Sequence, residues 1–225
     1  MLDGAPIIVV ATGLNKGSIN SKTGALIQTW ILREDIKPTL AVKNGAAKSV
    51  CGDCPHIGDT CYVNIFQAPL NVYNSYHRGI YKTDWTSATF AGRKIRIGSY
   101  GDPAAVPYYI WERVLAETVG HTGYTHQWRN YPELAAIVMA SCDTPQDRLQ
   151  AKFLGFRTFR VRLATEPKLD HEFLCPASKE AGVKTNCAAC LACGGTTAKA
   201  KADPVIIAHG AASKVNAFTR WRAAA

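Results

Sequence analysis

Seven of the chain's eight cysteines fall into two groups whose spacing suits metal binding. The first reads Cys51-Gly-Asp-Cys54-Pro-His56-Ile-Gly-Asp-Thr-Cys61, a C-x2-C-x6-C loop inside residues 43–64. The second, within residues 175–195, sets Cys175-Pro176 ahead of Cys187-Ala-Ala-Cys190-Leu-Ala-Cys193-Gly-Gly. Thiolates are strong ligands for soft and borderline metals, and short spacers let successive thiolates turn toward one centre. The Gly194-Gly195 pair frees the backbone to wrap around it. Disulfides are the competing use of paired cysteines, and they belong to exported chains. The N-terminus MLDGAPIIVVATG carries an acid at Asp3 and a short apolar run, Ile7 to Val10. A secretory signal has a basic start and roughly 7–15 apolar residues, so a reducing, cytoplasmic location and metal-ligating thiols are expected.

Iron–sulfur and zinc chemistry divide the cysteines differently. Cys187-x2-Cys190-x2-Cys193 has the spacing of the first three ligands in a bacterial ferredoxin loop, although no Cys-Pro pair follows it. Two knuckles, Cys51/Cys54 and Cys187/Cys190, could instead make one tetrahedral zinc site, which leaves Cys61, Cys175 and Cys193 unused. Two 4Fe-4S clusters use all seven, and one shared cluster is the alternative. Cys175, Cys187, Cys190 and Cys193 then close one site. Cys51, Cys54 and Cys61 leave one metal position for substrate, water or a ligand such as His56, and an open position distinguishes a catalytic metal from a structural one. Cys142 stands alone after a strand and reads as a small buried hydrophobe.

These groups need a scaffold. Alternation or apolar runs predict strands over Ala25–Leu32, Lys94–Ser99, Gly123–Gln127, Ile137–Ser141, Arg157–Leu163, His171–Leu174 and Val205–Ala208. Helical spacing places helices over Leu70–Tyr81, along Val106, Ile110 and Val114 with Pro107 in the first turn, and from Pro145 to Gly155 behind a Thr144 cap and Asp147. Strand and helix alternating in this way imply βα units and a largely parallel sheet. Eight full units need about 250 residues. The shorter chain, with its long cysteine loops, leads to an α/β fold, a partial (β/α)6-7 TIM-like barrel, with an open sheet as the alternative. Residues 1–210 read as a single α/β iron–sulfur domain and 211–225 as a basic C-terminal tail.

In βα barrels the active site lies at the C-terminal ends of the strands. Here those exits carry Ser99, Tyr100 and Asp102, then His126, Gln127 and Trp128, then Ser141 and Asp143, then Thr165 and Glu166, and finally His209. As a set beside the Cys51 loop they would form a pocket, with Asp102, His126 and Glu166 as candidate catalytic groups.

A three-cysteine loop after the first strand of a partial barrel resembles the radical S-adenosylmethionine (SAM) enzymes. In that family three cysteines hold a 4Fe-4S cluster whose remaining iron binds the amino and carboxylate groups of SAM. The cysteine-rich C-terminal segment is similar to the auxiliary clusters of some subfamilies. The resemblance covers roughly residues 25–210 in architecture and the cysteines alone in motif. The family's spacing is C-x3-C-x2-C with an aromatic before the last cysteine; here it is C-x2-C-x6-C, with Tyr62 after it. The resemblance implies SAM as a cofactor, with Ser99 and Asp102 of GSYGDP toward its amino group and Ser141 or Asp143 toward its ribose. The stretches CGDCPHIGDTCYVN, GSYGDPAAVP, GYTHQW and CPAS…CAACLACGG also resemble a bacteriophage and prophage gene-product family with two cysteine clusters. That implies action in the host-cell cytoplasm.

The formal charge is +9, from 26 Lys and Arg against 17 Asp and Glu, which points to an anionic partner. Arg148, Lys152, Arg157, Arg160 and Arg162 form one basic stretch, and Lys199, Lys201, Lys214, Arg220 and Arg222 another. Arg160 and Arg162 share a strand face, as a solvated edge or a phosphate contact. Nucleic acid, a phosphorylated substrate or a host protein are the expected partners. No apolar run approaches the ~20 residues of a membrane span. Two functions follow. One is an iron–sulfur enzyme modifying a nucleotide, nucleic acid or protein in radical SAM fashion. The other is a non-catalytic iron–sulfur or zinc-stapled basic protein that binds nucleic acid or a host factor.

Overall fold

The computed structural model of the chain describes residues 2–17 and 20–224; Met1, Ser18, Ile19 and Ala225, the last residue of the tail, lie outside them. Strands β1 (Ile7–Thr12) and β2 (Ile27–Arg33) come first, then helices α1 (Pro38–Lys43), α2 (Lys48–Cys51) and α3 (Ala68–His77). Next follow β3 (Lys94–Tyr100), α4 (Tyr108–Leu115), β4 (Gly120–Thr125), β5 (Met139–Cys142), α5 (Pro145–Phe153) and β6 (Thr158–Arg162). The chain closes with β7 (Glu172–Leu174), α6 (Cys187–Cys190), β8 (Asp203–Ile207) and α7 (Ala212–Ala224).

Among the described residues these strands form one eight-stranded sheet in the order β1-β2-β3-β4-β5-β6-β8-β7. β1 runs antiparallel to β2, and every other neighbouring pair is parallel. The sheet is open, with β1 and β7 as its edges, so the fold is α/β with a mostly parallel sheet. No helix among the described residues is long and apolar enough to cross a membrane.

The sheet's two faces differ. Ile27, Ile31, Ile95 and Ile97 are fully buried in one cluster with Val72 and Tyr73 of α3 and Trp111 and Val114 of α4. Arg96, Tyr124 and Phe159, on the other face, stay half-buried. The Arg96 guanidinium stands 5.3 Å from the Tyr124 ring centre, and the Tyr124 and Phe159 rings are 4.7 Å apart. At α5 the expected start is present: Thr144 Oγ1 accepts from Asp147 N at 2.9 Å, and Asp147 Oδ2 accepts from Thr144 N at 3.0 Å. Gly155, at φ 83°, ends the helix in the left-handed region.

Four expectations change. β1 precedes the predicted first strand, so the Cys51 loop follows the second strand of the sheet. Its signal was weak because an edge strand buries little: Val10 is buried while Val9 is 40% exposed. β5 begins at Met139, not Ile137, because a 3-10 turn over Pro132–Ala136 runs up to Ile137. Residues 212–224 of the basic tail form a helix packed on the domain: Phe218 is buried, and Lys214 Nζ donates to Gly58 O at 2.9 Å.

The fourth change concerns β6, whose alternation is inverted. Phe159 and Val161 stay half-buried while Arg160 and Arg162 face inward, at 1% and 8% exposure. Arg160 forks onto Glu172, Nε to Oε1 at 2.8 Å and Nη2 to Oε2 at 2.7 Å. Arg162 donates to the carbonyls of Leu163 and Glu166. Buried Arg157 donates to Ala192 O at 2.8 Å and Gly195 O at 3.0 Å. Arg148 reaches Asp203 Oδ2 at 3.3 Å. This basic stretch is therefore internal wiring and offers no solvated edge or phosphate contact at Arg157, Arg160 or Arg162. Acids on β7 and β8, remote in sequence, make the burial of these cations possible.

Burial alone would raise the Glu172 carboxyl. Hydrogen bonds from Arg160 and Leu169 N–H, with the charges of Arg160 and Arg148, outweigh it and hold the group below its ordinary range. Removing one partner of a buried ion pair costs about 3–5 kcal/mol, which is the loss expected in urea unfolding of Glu172→Ala. Because the folded-state pKa is lowered, the stabilisation is complete above the ordinary glutamate range and fades as pH falls from there through the folded value. Glu172→Ala should lack that segment of the wild-type pH–stability curve.

Candidate metal centres

The first cysteine loop is held by the ends of β3 and β4. α2 delivers Cys51, and the chain turns at Gly52, whose φ of 60° and ψ of −139° suit only glycine. A Cβ there would come within 2.3 Å of Gln127 Cδ. Gln127 in turn donates from Nε2 to Cys51 O at 3.3 Å. Asp102 N donates to Val50 O at 2.6 Å, tying the β3 exit to the residue before Cys51. The Asp102 carboxylate accepts from Thr125 Oγ1 at 2.6 Å, His126 N at 2.8 Å and Ala104 N at 3.0 Å. Burial raises its pKa, and those three hydrogen bonds offset the rise only in part.

The eight cysteines carry free thiols, and their electrostatics sort them into groups. Burial pushes the Cys51 thiol well up, and negative charge on Cys54 and Cys61 adds to the rise. Burial also raises Cys61; Cys54 adds to this, while Lys214 and His126 oppose it. In the second group burial pushes Cys193 up to about 12, opposed by a hydrogen bond from Tyr124 and reinforced by Cys175, Cys187 and Cys190. Cys187 is raised by burial and by Cys190, against the positive charges of Arg96 and Lys22. Cys175 is raised by burial, Cys187 and Cys190, with Lys22 again opposing. Cys51 thus feels Cys54 and Cys61, and Cys193 feels Cys175, Cys187 and Cys190. Cys142 is buried, with its thiol directed to Ala140 O at 3.6 Å.

The second segment packs on strand beginnings. Gly123 N donates to Cys193 O at 3.1 Å, Lys94 Nζ to Ala188 O at 2.8 Å, and Cys187 N to Lys22 O at 2.9 Å. A Cβ at Gly120 would meet Leu191 Cδ1 at 2.5 Å, so the small residue admits the segment. Lys22, Arg96 and Tyr124 escape sequence reading. They lie far from the cysteines along the chain and reach them only once the sheet has formed.

Beside the first loop, His56 Nε2 lies 2.9 Å from Asp143 Oδ1, and His126 Nε2 lies 3.5 Å from Asp143 Oδ2. Among the described residues this is the histidine, cysteine and acid group whose donor atoms all come within 4.8 Å of one another. His126 Nδ1 also sits 3.5 Å from Cys54 Sγ. Asp143 is held well below the usual carboxylate range: burial opposes this, but the close approach of the His126 and His56 rings prevails. A cavity of about 190 Å³ adjoins the group, lined in part by His126, Ser141, Asp143 and Trp221.

The structure thus brings Asp102, His126 and Asp143 to the Cys51 loop, with Ser141 on the adjoining cavity. Ser99 is engaged with Gln28 Oε1 at 2.6 Å. Glu166 binds Arg222 Nε at 3.1 Å and Leu163 N at 3.0 Å, which ties it to α7 and its own turn, not to the cavity. His209 accepts from Lys22 Nζ at 2.6 Å while its Nδ1 faces Ile207 O at 2.7 Å. His56, mentioned in sequence only as a spare ligand, joins the group because the tight Cys54–Cys61 loop folds back over β5.

No protein-family model, no curated protein and no solved structure matches this chain.

Gly52→Ala tests the first loop. The strained backbone should cost about 1–3 kcal/mol and displace Cys51 from Cys54 and Cys61. The expected readout is lower thermal stability together with less of any bound metal retained than in Gly45→Ala, which carries a similar left-handed strain at φ 82° but whose added Cβ meets nothing within 4 Å, so the difference isolates the clash with Gln127.

Proposed function

We propose that the chain is an iron–sulfur protein, with one cluster held by Cys175, Cys187, Cys190 and Cys193 and a second, open one by Cys51, Cys54 and Cys61. What supports this reading is that Cys54 and Cys61 lie close enough to Cys51, and Cys175, Cys187 and Cys190 close enough to Cys193, for their negative charge to raise the thiol they face. The donor sets fit. Buried thiols gathered in this way cannot ionise together without positive charge among them, and a metal cluster supplies it. A zinc tetrathiolate shared by Cys51/Cys54 and Cys187/Cys190 would need those pairs together, whereas each influences a different set of neighbours. Among the described residues no three thiol sulfurs all lie within 4.8 Å of one another, and a cubane, unlike a single ion, spreads its thiolates over four irons.

The three-thiol site sits at strand exits, where a βα fold places its chemistry, and the open sheet is read as a partial barrel. When bound, an open cluster there would supply one-electron reduction of a SAM-like co-substrate. The chain's own residues prepare the site. Asp102 holds Cys51 and His126 in place, Ser141 offers a hydroxyl on the cavity, and Trp221 and Phe218 of α7 shield His56 from water, with ring centres at 4.8 and 5.6 Å. At the four-thiol site Lys22 and Arg96 offset thiolate charge. A nucleotide, nucleic acid or protein in a reducing cytoplasm is the substrate class proposed, and the exposed cations left to meet it include Lys199, Lys201 and Arg220.

Anaerobic purification with iron, zinc, sulfide and absorption measurements tests this. A brown protein with about eight irons and matching sulfide per chain is expected, falling to about four in Cys187→Ser and in Cys54→Ser alike. Production of 5′-deoxyadenosine from SAM under reducing conditions, lost in Cys54→Ser, would establish the enzymatic form. A colourless protein with stoichiometric zinc and no sulfide overturns the iron–sulfur reading.

A further inference from the structure

His56, His126 and Asp143 form a donor set distinct from both thiol groups. Each donor is positioned from outside the trio. His56 Nδ1 lies 2.9 Å from Thr60 Oγ1, which turns Nε2 toward Asp143. Asp102 fixes the His126 backbone at 2.8 Å, and Asp147 Oδ2 accepts from Asp143 N at 3.2 Å. Metal-bound histidines characteristically have their second ring nitrogen engaged in this way.

Hydrogen bonding explains only half of the arrangement. It accounts for His56 and Asp143 at 2.9 Å. It leaves His126 Nε2 buried without a hydrogen-bond partner, 3.5 Å from the other carboxylate oxygen. Ligands about 2.1 Å from a common ion stand about 3.0–3.4 Å apart in octahedral or tetrahedral arrangements, and the 2.9 and 3.5 Å separations lie within about 0.1 Å of that range. Two imidazoles and a carboxylate are also the set that leaves coordination positions open for exogenous ligands. The cavity of about 190 Å³ that His126 and Asp143 themselves line gives such a ligand room, with Ser141, Thr144 and Arg129 around it.

We propose that His56, His126 and Asp143 bind one divalent first-row transition-metal ion, with its remaining positions open to the cavity beside the Cys51 loop. The assignment goes beyond the iron–sulfur reading and does not depend on it. It removes His126 and Asp143 from direct contact with a SAM-like co-substrate and leaves that role to Ser141 and the loop.

Cobalt(II) titration of the full-length, anaerobically purified protein tests the proposal. Wild type should bind one more cobalt than His56→Ala or Asp143→Ala, or bind it more than about 100-fold more tightly, since even outer partners of a ligand cost 10–100-fold. The wild-type minus His56→Ala spectrum should show weak visible d–d bands and no sulfur-to-cobalt charge transfer. That difference isolates the nitrogen–oxygen site whether or not the cysteines carry clusters, so its failure is distinct from failure of the sulfide assay. Equal cobalt binding in wild type and both variants overturns the proposal, as does charge-transfer intensity in the difference spectrum. If His56→Ala does not fold, Thr60→Ala decides. It keeps all three donors, and a loss of about 10–100-fold in affinity is expected, while unchanged affinity overturns the site.

Discussion

Asp102 is a carboxylate sealed inside the protein, and a buried carboxylate is tolerable only if its oxygens are filled with hydrogen bonds. It fills them from Thr125, His126 and Ala104, while its own backbone N–H grips Val50. One side chain thus joins the exits of β3 and β4 to the residue that precedes Cys51. The position of the three-thiol loop and that of the His126 ring follow from this single desolvated group. Its burial is also why it serves the site as a strut: three donors already occupy the carboxylate.

Charge compensation at a distance organises the rest. Arg160 and Glu172 share the interior between β6 and β7, and Arg148 and Lys152 converge on buried Asp203. The four-thiol group likewise draws Lys22 and Arg96 from the other end of the chain. Buried Arg157, Arg160 and Arg162 are matched by buried Asp102, Asp143, Glu172 and Asp203, so the excess of Lys and Arg over Asp and Glu stays with the rest of the chain. The first thiol group lies beside the exits of β3 and β4; in the second, the Cys187–Cys193 segment bonds to Lys22 ahead of β2 and to Lys94 and Gly123 of β3 and β4, while Cys175 follows the end of β7. The half-buried face of Arg96, Tyr124 and Phe159 borders the second group, with Tyr124 bonded to Cys193.

Much of the fold was legible where signals are local. The Thr144–Asp147 capping box, the stop at Gly155 and the positions of most parallel strands depend on neighbouring residues and appear as read. β1 gives little signal because an edge strand needs little burial, and the alternation of β6 marks two faces without saying which is inside. The arginine face is interior only because Glu172 and Asp203 arrive from later strands. The closing helix was read as a tail because its apolar residues, Val215, Phe218 and Trp221, are few among polar ones.

The sequence by itself determined the chemistry available: seven thiols at short spacings, and polar groups placed just after strands. Short spacers constrain neighbouring cysteines whatever the fold, which is why Cys51, Cys54 and Cys61, and Cys187, Cys190 and Cys193, stand out as groups along the chain. Tertiary structure decided everything that needs distant segments to meet. It brought His56, His126 and Asp143 within reach of one another from three separate loops, placed Lys22, Arg96 and Tyr124 around Cys187 and Cys193, and turned Arg160 inward. Those contacts join residues separated by tens of positions in the chain. Their cost in chain entropy is repaid only by the assembled sheet, so no local pattern could announce them.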